Sequence, residues 1–76
     1  MDEHTAYSEM SDEDLRWARG LLETARGNWE KVMDDPEESP AIRDCARQEI
    51  ARRDRILAKI DCIRVDRAAE AAEVAA

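Results

Sequence analysis

Apolar residues in the first half of the chain recur at Leu15, Ala18, Leu22, Ala25, Trp29 and Val32, stepping by 3, 4, 3, 4 and 3, with Met33 alongside. That spacing returns to one side of an α-helix every turn and makes the seam that antiparallel helices bury against each other. A second pattern follows it. Ile42, Ala46, Ile50, Leu57 and Ile60 recur at helical spacing, with Cys45, Ile56 and Ile63 beside them, and no Gly or Pro interrupts the chain after Pro40. The two patterns predict two amphipathic helices, over about residues 11–34 and 40–67.

Both helices have local start and stop signals. Ser11 is a good N-cap, Asp14 stands at the third helical position in the manner of a capping box, and Met10 and Leu15 are placed as a hydrophobic staple. Asp12, Glu13 and Asp14 suit the positive end of the helix dipole. Pro36 disfavours a helical Asp35, so the first helix is expected to stop near Asp34. Ser39 can cap the free amides of the second, and Pro40 lacks only an N–H that has no partner at a first helical position. The short connection from Asp35 to Glu38 makes the helices antiparallel neighbours. The expected fold class is all-α, an antiparallel two-helix hairpin.

Outside the hairpin the pattern weakens. Residues 1–10, MDEHTAYSEM, show no period and little apolar content, and read as a flexible acidic N-terminal arm with Tyr7 available to dock on the body. Residues 68–76 are alanine-rich, so a C-terminal tail that is helical or frayed is expected beyond Arg67.

Length changes the picture. A core built from two helices in 76 residues seldom outweighs the entropy of ordering the chain. Chains this short usually add a disulfide, a metal or a second subunit. Cys45 and Cys62 lie 17 positions apart on one predicted helix, about 25 Å along its axis, where a disulfide needs Cα atoms within roughly 7 Å. Reduced cysteines suit a cytoplasmic setting. His4 is the only histidine, so neither a metal site nor a cofactor is expected.

Self-association remains. Ala51, Arg55, Ala58, Cys62 and Val65, continued by Ala69 and Ala72, step by 4 and 3 along the back of the second helix. Small residues in such a seam let another helix approach, so a homodimer with a four-helix arrangement is expected, with Cys62 in or near the interface. The alternative is that alanines on a solvated face are simply good helix formers.

Charge narrows the partners. The formal net charge is −7; residues 1–40 carry 12 acids and 4 bases, and residues 41–67 carry 5 and 8. Halves of about −8 and +3 are expected to neutralise each other on folding. Arg43, Arg47, Arg52, Arg53, Arg55 and Lys59 spread around their helix without interleaved aromatics, so direct nucleic-acid binding is not expected. The acidic N-terminus has no basic start or apolar run, and apolar runs elsewhere are only a few residues long; neither a secretory leader nor a membrane span is expected.

Two constellations stand out. Glu49 and Arg53 fall inside the apolar stripe of the second helix, four apart with the acid first. General acid–base work needs a second group and a pocket, which two helices do not offer. The pair therefore reads as a polar core pair that fixes register, with Arg26 expected to join it. Trp17 projects away from the first seam, close to Leu21 and in line with Gly20, Thr24 and Gly27. A glycine inside a helix costs roughly 1 kcal/mol relative to alanine, so two on one face invite a packing explanation. An exposed Trp beside small residues has the composition of a binding hot spot; the alternative is that it covers the protein's own core or arm.

No phosphate-binding glycine loop, Ser/His/Asp set or metal cluster is present in the sequence. The pattern reads as a small non-enzymatic adaptor or regulator that binds another protein through the face formed by Trp17, Gly20, Leu21, Thr24 and Gly27. The alternative is an acidic inhibitor of the phage or mobile-element kind, which blocks the nucleic-acid-binding surface of a basic protein.

Overall fold

The computed structural model describes residues 3–75, with side chains from residue 6 onward. It is all-helical there: α1 (Glu3–Ser8), α2 (Asp12–Asp34) and α3 (Pro40–Ala75). The start of α2 follows from its cap, since the Asp14 amide donates to Ser11 Oγ at 3.1 Å. At its end the Asp35 amide donates to the Val32 carbonyl, and the Asp35 side chain accepts from the Glu37 amide, which turns the chain. Ser39 opens α3 by accepting from the Ile42 amide at Oγ and from the Arg43 amide at its carbonyl. Arg43 then reaches back to the Met33 carbonyl at 3.0 Å, satisfying an acceptor at the C-terminus of α2.

The hairpin core lies toward the open end, away from the loop. Leu15, Ile56, Ile60 and Ile63 form one buried cluster, and Tyr7, Met10, Ala18 and Leu22 pack against it. Met10 thus packs on the cluster that contains Leu15, the residue with which the staple pattern pairs it. On α3 the buried line is Ala46, Ile50, Ile56, Ile60 and Ile63. The stripe is therefore centred further toward Ile56 and Ile63 than the sequence pattern suggested. Ile42 is 47% exposed and Cys45 is exposed, because both lie where α2 is ending.

The N-terminal segment differs from the expected structureless arm. Residues Glu3–Ser8 are helical and pack on α3. Tertiary contacts account for this, because so short a helix has little stability of its own. Tyr7 rests on the core cluster, and Arg67 donates to the carbonyls of Ser8 and Met10 at 2.8 and 2.6 Å. Arg67 also binds Asp12 at 2.6 Å, so one side chain ties α1, the start of α2 and α3 together.

The tail takes the helical alternative. α3 has 36 residues against 23 in α2, and at ~1.5 Å per residue it is longer by about 20 Å. The excess lies at its C-terminal end, where residues 68–75 are all exposed and Val74 is 89% exposed.

Candidate interaction site

The face of α2 turned away from α3 carries the first candidate. Trp17 is 68% exposed and Leu21 52% exposed, and Gly20 and Thr24 on the same helix are exposed too, with Gly27 half-buried. A Cβ built on Gly20 or Gly27 meets no atom within 4 Å. Among the described residues nothing packs closely enough on these glycines to require them, and Trp17 is not part of the buried core.

The back of α3 carries the second. Ala51, Arg55, Ala58, Cys62 and Val65 are all exposed, with Val65 at 67%. They lie opposite the buried line, as their spacing requires. Cys62 and Cys45 are both unbridged and exposed.

Between the two faces runs a charged seam. Arg19 Nε lies 2.9 Å from Asp61 Oδ1, and Arg26 Nε lies 2.5 Å from Asp54 Oδ1. Each arginine also binds the glutamate four residues on, Glu23 and Glu30 respectively. The hydrogen bond to Asp61 and its charge raise the Arg19 pKa above the ordinary arginine value, and the hydrogen bond from Arg19 lowers that of Asp61. The Asp54 hydrogen bond likewise raises Arg26.

Arg26 therefore does not join Glu49 and Arg53, as the sequence suggested. Glu49 and Arg53 do pair with each other, half-buried at 28% and 22% side-chain exposure. Arg53 Nε is buried without a hydrogen-bond partner among the described residues. Asp54 and Asp61 were not singled out from sequence. Their signal is a repeat: residues 18–24 read ARGLLET and residues 25–31 ARGNWEK, while the two aspartates sit seven apart on α3.

The polarity of these pairs bears on the net charge of each face. The acid-rich first half supplies the arginines and the base-rich helix supplies the aspartates, so two of the cross-helix bridges do not neutralise the expected imbalance. Arg67 with Asp12 does follow it. Glu13 and Asp14 on α2, and Arg52 and Arg55 on α3, remain exposed and outside any salt bridge among the described residues.

Among the described residues no group of His, Cys, Asp and Glu could hold a metal ion, and no helix is long and apolar enough to cross a membrane. One open depression follows α2 past Glu23, Gly27 and Lys31; residues from a single helix and its C-cap line it. Among the described residues the geometry defines a helical hairpin with two exposed faces. Among known proteins, no family model, curated protein or solved structure matches the chain.

Proposed function

We propose that this protein is a non-enzymatic adaptor or regulator that binds another protein through the outer face of α2 and associates with itself through the back of α3. The observation that carries the reading is the exposed pair Trp17 and Leu21 beside two glycines whose α-carbons open onto empty space. Aromatic anchors on a small-residue background are the composition of binding hot spots, and glycines let a partner's backbone come close. A homodimer adds the second subunit that so small a core calls for.

The test is retention of a binding partner by the immobilised full chain, followed by titration of that partner in purified form. Trp17→Ala and Leu21→Ala are expected to abolish binding, while Ala58→Glu on the other face leaves it unchanged. Binding indifferent to Trp17 and Leu21 contradicts the reading.

The acidic-inhibitor reading stays as the second, supported by the unneutralised acids of α2. It calls for binding that falls steeply with salt and is lost when Asp12, Glu13, Asp34 and Glu37 are neutralised. The adaptor reading calls for binding that salt barely changes.

A further inference from the structure

We infer that the depression between the start of α2 and the overhang of α3 binds a phosphate monoester, gripped by Arg16 and Arg64. The site is separate from the two faces proposed above and shares no residue with either. It has a volume of about 300 Å³ and is lined by Asp12, Arg16, Arg64, Arg67, Ala68 and Ala71. Helical spacing brings these residues together. Asp12 and Arg16 stand one turn apart on α2, and Arg64, Ala68 and Ala71 step by 4 and 3 along one side of α3. Because α2 begins at Asp12, that side of α3 runs on past it, with Ala68 and Ala71 exposed.

Charge selects the ligand. In a chain of net charge −7, this depression gathers three guanidinium groups around one carboxylate. Arg67 is already engaged by Asp12 and by the carbonyls of Ser8 and Met10, so it and Asp12 offset each other. Arg16 and Arg64 are exposed and make no salt bridge among the described residues. Asp61 lies near enough to feel the charge of Arg64, but both of its oxygens accept from Arg19, at 2.9 and 3.4 Å. Two positive charges are thus left unanswered in one place. A phosphate monoester brings about −1.5 to −2 at pH 7 and three acceptor oxygens, enough to occupy two guanidinium forks. A carboxylate or a phosphodiester brings a single charge and leaves one arginine unmatched. The methyl groups of Ala68 and Ala71 leave room for the organic part of the ester.

The test is a titration of the full chain with phenyl phosphate at fixed ionic strength, followed by amide nitrogen and proton shifts. Saturable shifts are expected at Arg16, Arg64, Ala68 and Ala71. Arg16→Gln and Arg64→Gln, both at exposed positions, are each expected to weaken binding about tenfold, and Ala71→Glu to abolish it. Arg52→Gln with Arg55→Gln, elsewhere on α3, is expected to leave it unchanged. Dimethyl phosphate, a singly charged diester, is expected to bind at least about tenfold more weakly. A phosphoserine peptide titrated alongside separates the two sources of such a group: it binds more tightly than phenyl phosphate if the ligand is a modified side chain, and less tightly if it is a small ester. Shifts spread over arginines of the whole surface, equal binding of the diester, or binding retained when Arg16→Gln and Arg64→Gln are combined overturns the inference.

Discussion

Arg19 on α2 holds Asp61 on α3, Nε to Oδ1 at 2.9 Å, and one heptad further along each helix Arg26 holds Asp54 in the same way. Two bridges at matched heptad spacing favour this antiparallel register: a slip by one helical turn breaks both, and a slip by one heptad keeps only one. Asp61 is the acid whose pKa the Arg19 hydrogen bond lowers from the ordinary 3.8. A carboxyl with a depressed folded-state pKa adds stability above its unfolded value and loses it as pH falls through the folded one. The contribution is therefore expected to be complete above about pH 5 and to vanish in acid below its folded pKa. Asp61→Asn is expected to lower the thermal midpoint at neutral pH and to flatten the acid limb of the stability curve, followed by circular dichroism from pH 2 to 7. An acid limb unchanged by the substitution contradicts the role.

Glu49 and Arg53 occupy the buried side of α3 as a half-buried pair, with Arg53 Nε lacking a hydrogen-bond partner among the described residues. Removing one member strands the other. Glu49→Ala is expected to cost about 1–3 kcal/mol in urea unfolding. Glu49→Leu with Arg53→Leu is expected to be at least as stable as the wild type, since two aliphatic side chains replace a costly desolvated pair. If the pair fixes register, the double variant gains stability but populates more than one oligomeric species in sedimentation.

Gly20 and Gly27 face open space. Gly20→Ala and Gly27→Ala are each expected to raise stability, by up to about 1 kcal/mol, because alanine is the better helix former and nothing resists the added methyl. Partner binding is expected to weaken in the same variants. A rise in stability with binding unchanged leaves the glycines without a role in contact.

Arg67 ties three elements together through Ser8, Met10 and Asp12. Arg67→Ala is expected to release α1 while leaving the hairpin folded. Amide exchange is the readout: protection lost within residues 3–10 and retained at Ile56 and Ile60. Loss of protection throughout places Arg67 in the global fold instead.

The helix boundaries were legible because caps and prolines act locally: Ser11, Pro36, Ser39 and Pro40 each fix a chain direction through neighbours within four residues. The two outward faces were legible for the same reason, helical spacing being enough to separate Trp17 from Leu22 and Ala58 from Ile60. What depended on tertiary register was not. α1 lacks a period of its own and is held by Tyr7 and Arg67, whose partners are far away in sequence. Arg26 meets Asp54 and not Glu49 because the register that pairs Arg19 with Asp61 brings Arg26 level with Asp54, while Glu49 lies about 140° further round α3. Ile42 and Cys45 fit a helical stripe that α2 is too short to cover.

Solution mass across a concentration range, by sedimentation equilibrium on the full chain and on Ala58→Glu, tests the central claim most directly. A reversible dimer is expected for the wild type, and a monomer of unchanged helical content for Ala58→Glu. A wild-type monomer throughout, or a dimer indifferent to Ala58→Glu, contradicts it.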